Sequence, residues 1–94
     1  MTRFRYNECL GIPYDLQGHI YFHSKRYKQL EKEEKEVIDA ACQWAGGQYA
    51  NALKQYVTTN KKDVAVCQRF YMSRNTLLRT VANYYKYMAQ SIGK

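Results

Sequence analysis

Val66-Cys67-Gln68-Arg69-Phe70-Tyr71-Met72-Ser73-Arg74-Asn75-Thr76-Leu77-Leu78-Arg79-Thr80-Val81 is the stretch that decides how this 94-residue chain is read. Two helices joined by a tight turn need a small residue where they cross and an apolar residue closing the first helix. They also need an apolar residue in the turn and a Ser or Thr to cap the second helix. Apolar anchors one and two turns further on complete the requirement. Cys67, Phe70, Met72, Ser73, Leu77 and Val81 meet it in that order, with cysteine serving as a small hydrophobe. The second helix is therefore expected over roughly 74–91, capped by Ser73. Its buried stripe is Leu77, Val81, Tyr84 or Tyr85, Met88 and Ile92. One residue departs from the pattern: Tyr71 stands where such turns usually carry glycine, which predicts a somewhat longer turn.

Working outward, Asn60 is a candidate cap for the first helix of the pair, roughly 61–69, with Asp63 returning the bond and favouring the helix dipole. Before it, Tyr49, Leu53, Tyr56 and Val57 share one side of a helix over about 48–57. Gly46-Gly47 closes an earlier helix, 25–45, for which Ser24 is the candidate cap. Tyr27, Leu30, Val37, Ile38, Ala41, Cys42 and Ala45 line one face of that helix, with Glu34 the one polar residue among them. Residues 1–23, punctuated by Gly11, Pro13 and Gly18, read as an irregular or extended N-terminal arm. The expectation is one all-α domain over 1–94 with about four helices: the arm, a helical support over 24–57, and a helix-turn-helix over 60–92.

Composition supports this reading. Hydrophobic residues make up 46% of the chain, too many for a disordered segment, and one core is all that this length can fill. No apolar run is long enough to span a membrane, and Asn7 and Glu8 follow the basic start where a signal peptide needs an apolar stretch. Cys9, Cys42 and Cys67 are too widely and irregularly spaced for a disulfide framework. A cytoplasmic location follows as an expectation. Residues 1–39 hold seven Lys/Arg and seven acids, whereas residues 40–94 hold eight Lys/Arg against Asp63 alone, so the net charge of +7 lies entirely in the second half. A concentrated positive field of this kind suits a polyanion.

Met72-Ser73-Arg74-Asn75-Thr76-Leu77 resembles the "(I/L)-S-x-x-T-(V/L)" that opens the recognition helices of the fourth region of bacterial sigma factors. Small phage and mobile-element transcription regulators carry helix-turn-helix units of the same kind. The resemblance covers about residues 60–90. It implies a sequence-specific DNA-binding regulator that inserts the helix over 74–91 into the major groove. Arg74, Asn75 and Arg79, with Thr76 and Leu78 beside them, would lie outward from the Leu77/Val81 stripe. Arginine can grip guanine, and asparagine adenine, through paired hydrogen bonds. The helix start at Ser73 would favour a phosphate. Lys61, Lys62 and Arg69 would touch backbone phosphates, with Lys86 further along the outer face. The implied partner is double-stranded DNA, with RNA polymerase and a second copy of the chain as further candidates.

The plainer alternative is an αα-hairpin with ordinary capping, or a helix-turn-helix that serves protein contacts. The rival functions are a protein-binding adaptor, such as a phage inhibitor of a host enzyme, and a DNA-packaging component similar to a terminase small subunit. His19 and His23 sit four apart but lack the Glu of a metalloprotease helix, and the cysteines lack the close pairing of zinc sites. Neither a metal, a cofactor nor an enzymatic activity is expected.

Overall fold

The computed structural model describes residues 11–59 and 61–92. Among them are five α-helices and no strand: α1 (Tyr14–Lys25), α2 (Lys32–Gly46), α3 (Ala50–Thr58), α4 (Asp63–Phe70) and α5 (Arg74–Ile92), with short 3-10 turns at Tyr27–Gln29 and Gly47–Tyr49. The all-α class and the C-terminal helix-turn-helix stand as expected. The first part of the arm, residues 1–10, and the candidate cap Asn60 lie outside the described residues. No described helix is long and apolar enough to cross a membrane.

The largest departure from expectation is α1, which occupies much of the supposed arm. Gly11 turns the chain at a positive φ, and Pro13 holds φ −55° immediately before the first helical residue, where its missing N–H costs nothing. Gln17, Ile20, Tyr21 and Ser24 are its buried positions, the i, i+3, i+4, i+7 spacing of a helix face. Two of those four are polar, and both are satisfied. Gln17 donates to the Ile12 carbonyl at 2.9 Å. Ser24 donates to the Ile20 carbonyl at 2.8 Å and lies 2.5 Å from the Tyr84 hydroxyl. The single Ser24 proton goes to Ile20, so Tyr84 is the donor of that second bond. Ser24 is thus a buried residue of α1 and not the cap of the next helix.

Consequently α2 begins at Lys32 and not at residue 25, with Glu31 at its N-cap position. Tyr27 and Leu30 still pack against the core, but from the connecting turn. Gly47 ends α2 with φ 54°, which glycine adopts without penalty. Lys25 holds the far end of α3: its Nζ donates to the carbonyls of Tyr56, at 2.9 Å, and Thr59. That ammonium also lies 5.2 and 5.8 Å from the ring centroids of Tyr21 and Tyr56. Burial pulls its pKa down to about 8.

Two buried clusters make the core. The larger is Ile20, Ile38, Ala41, Cys42, Leu53, Val57, Tyr84 and Met88. The smaller, under the helix-turn-helix, is Ala52, Val66, Met72 and Leu77. Tyr56 and Val81 pack against both. The 19-residue α5 serves both clusters, since Leu77 lies in one and Tyr84 and Met88 in the other. Its N-terminal part is thereby fixed to α4 and its C-terminal part to α1 and α2.

Candidate nucleic-acid interface

The two helices of the motif are joined by three residues, 71–73, and each has a definite task. Tyr71 takes the left-handed conformation, φ 54° and ψ 48°, directly after α4. Its N–H and that of Met72, at 3.1 Å, both turn back to the Cys67 carbonyl, the bond pattern that closes helices where glycine usually stands. The turn is therefore not lengthened, and Tyr71 itself adopts the glycine-like geometry. Met72 follows into the smaller cluster. Ser73 Oγ then accepts the Thr76 N–H at 3.1 Å, and the two hydroxyls lie 2.8 Å apart. This is the expected N-cap of α5.

A second tie joins the helices through their first residues. Arg74 donates from Nε to Asp63 Oδ2 at 2.6 Å, while Asp63 Oδ1 accepts the Val64 N–H at 2.8 Å. Bonding to Arg74 holds the Asp63 carboxyl below its ordinary range, and the same bond makes the guanidinium still harder to deprotonate. Asp63 is the sole acid of the basic half, and its charge is matched at the start of α5. The sequence reading gave Asp63 a capping role only. Nothing in the spacing of 63 and 74 marks them as neighbours until the turn geometry is known.

Arg74, Asn75, Leu78 and Arg79 are exposed, as is Ser73, while Thr76 is half-buried and engaged with Ser73. Behind them Leu77 is fully buried. Arg74 stays open to solvent over 69% of its side chain despite its bond to Asp63. Helical spacing places Asn75, Arg79 and Lys86 on one outer face. Lys86, also exposed, is two turns beyond Arg79, or about 10 Å along the axis.

The remaining cations gather elsewhere. Lys61, Lys62 and Arg69 line an open depression of about 520 Å³ together with Gln55, Val64, Ala65 and Gln68. Among the described residues no carboxylate borders it. Lys61 Nζ donates to Gln55 Oε1 at 3.3 Å. The basic residues thus form two clusters, one on the flank of α4 and one along α5. Two exposed apolar side chains accompany them: Tyr71, marked in the sequence only as a departure in the turn, at 93%, and Val64, which the sequence did not single out, at 60% exposure. In α1, His19 and His23 stack at 5.9 Å, and His23 approaches Glu34 at 3.8 Å. Among the described residues no three His, Cys, Asp or Glu side chains are grouped to hold a metal.

Comparison with protein-family models, with curated proteins and with solved structures returns no match for this chain.

Proposed function

We propose that the chain binds duplex DNA, with the first two turns of α5 in the major groove and the flank of α4 on the phosphate backbone. The observation that carries this reading is one helix edge. Arg74, Asn75, Leu78 and Arg79 face solvent while Leu77, between them in sequence, is fully buried. A helix braced from behind with its donors outward is what major-groove readout requires. Asp63 occupies Nε of Arg74, which leaves the terminal nitrogens of the guanidinium for a guanine edge, and Asn75 is suited to adenine. Thr76 is committed to the cap and contributes less. Lys61, Lys62 and Arg69 supply phosphate contacts that position the protein without reading sequence. Lys86 reaches the backbone beyond the groove.

With the resemblance to sigma-factor recognition helices, this makes the chain a cytoplasmic transcriptional regulator of phage or mobile-element type. It acts by occupying a promoter or by contacting RNA polymerase. The test is duplex binding, followed by fluorescence anisotropy against an operator selected from random DNA. Affinity for that operator should fall steeply with salt. Arg74→Ala and Arg79→Ala should each weaken it by about 1–3 kcal/mol with the fold intact. Asp63→Asn, which removes the lone acid, should strengthen non-specific binding and steepen the salt slope. Parent protein that ignores duplex DNA at low salt overturns the proposal, as do two arginine variants that bind like the parent.

The exposure of Tyr71 and Val64 favours a second reading, in which this turn docks on another protein. An adaptor of that kind would show no duplex binding, and Tyr71→Ala would abolish its complex while Arg79→Ala would not.

A further inference from the structure

Helix α2 presents a face of different character. Between Lys35 and Lys54 the sequence contains no cation, and its acids are Glu36 and Asp39 alone. Asp39 is already neutralised: Oδ1 receives Lys54 Nζ at 2.9 Å and the Tyr27 hydroxyl at 2.9 Å. What α2 turns to solvent beyond Glu36 is Val37, Ala40, Gln43 and Trp44. Trp44 is the only tryptophan of the chain and is 64% exposed, with Val37 at 39%. Its ring is not loose, since it lies against Tyr87 of α5 with centroids 5.6 Å apart and planes tilted by 39°. Val37, Ala40 and Trp44 follow the spacing of one helix stripe.

We infer that this stripe, with Tyr87 at its edge, is where two copies of the chain meet in a two-fold dimer. Charge selects the occupant. A protein of net charge +7 repels its own copy most strongly through the basic half. The one charge over 37–48 is Asp39, and Lys54 neutralises it, so like can meet like there without opposing cations. A two-fold contact must be complementary to itself, and an uncharged apolar stripe meets that condition when Trp44 of each copy lies on Val37 and Ala40 of the other. A pre-positioned tryptophan supported by a tyrosine is the kind of anchor that dominates interface energetics. The dimer forms without DNA, and it supplies the second recognition helix that operator binding by a single short motif lacks.

Sedimentation equilibrium of the full chain without DNA tests this. The parent should associate to a dimer at concentrations on the order of 100 μM, with the Trp44 emission moving to shorter wavelength as the indole leaves water. Trp44→Ala should lower the association constant about 30-fold, as expected for an interface anchor. Val37→Asp, which leaves the Trp44–Tyr87 pair intact and sets like charges across the axis, should do the same. Both variants should keep the thermal midpoint that the parent shows at concentrations too low for it to dimerise. Salt should leave the association unchanged or strengthen it. A parent that remains monomeric, variants that dimerise as tightly as the parent, or a dimer dissolved by salt each overturn the inference. Because no DNA is present, these outcomes are independent of whether Arg74 and Arg79 read an operator.

Discussion

Tyr71 is held in a backbone conformation that costs an L-residue roughly 1–2 kcal/mol, and its side chain, 93% exposed, gains little burial in exchange. The conformation is imposed from outside the residue. Met72 must reach the cluster of Val66 and Leu77 while its N–H returns to the Cys67 carbonyl, and only a left-handed residue at 71 permits both. Tyr71→Gly relieves the steric cost but enlarges the freedom of the unfolded chain, so a net gain of about 0.5–1 kcal/mol is expected. A higher urea midpoint with an unchanged slope is the measurement that checks it. A lower midpoint would mean that the tyrosine ring stabilises the turn through contacts of its own. The strained residue that the sequence marked as a departure is therefore a site where structure overrides local preference.

Among the helices, α5 carries opposite demands on its two faces, and substitutions should separate them. Leu77 is fully buried beneath the motif, so Leu77→Ala should cost about 2–5 kcal/mol in denaturant unfolding. Arg79→Ala on the exposed side should stay within about 0.5 kcal/mol of the parent. Equal effects of the two would mean that the helix is turned on its axis. This division was legible in the sequence because every inward position near the turn, from Val66 to Leu77, is apolar and the cap is a serine. The same reasoning failed at α1, where half of the inward positions are Gln17 and Ser24, while Tyr14 and Phe22 face outward. Apolar periodicity there rests on Leu16, Ile20 and Tyr21 alone. Ser24 then mimicked the cap of a helix that starts one connection later. Tyr27 and Leu30 were correctly read as core residues yet assigned to the wrong element. The Asp63–Arg74 tie was beyond reach for another reason: two residues eleven positions apart become neighbours only through the turn.

Across the whole molecule, the core's reliance on hydroxyl and thiol groups sets its response to alkali. Burial raises the pKa of Cys42 from 9.0 to about 12 and also raises those of Tyr21, Tyr84 and Tyr85 above their ordinary 10.0. The unfolded chain releases these protons first, so their contribution to stability is present at neutral pH and is lost as pH climbs above about 9 for the thiol and about 10 for the phenols. Lys25 acts in the other direction. Its folded pKa of about 8 lies below the ordinary 10.5, so the unfolded chain holds the extra proton, and stability rises with pH across that interval. Partial exposure of this side chain keeps that rise well under the full ~1.4 kcal/mol per unit. The two effects largely offset each other near pH 9. Above about 10.5 the lysine no longer compensates, and the phenols act with the thiol. Unfolding free energy measured by urea titration should therefore rise slightly from pH 8 to 9, level off, and drop steeply beyond 10.5. Tyr84→Phe should make the final drop shallower, and Lys25→Met should remove the initial rise. A profile that stayed flat to pH 11 would contradict the burial of Tyr84 between Ser24 and Cys42, and with it the docking of α1 on α5.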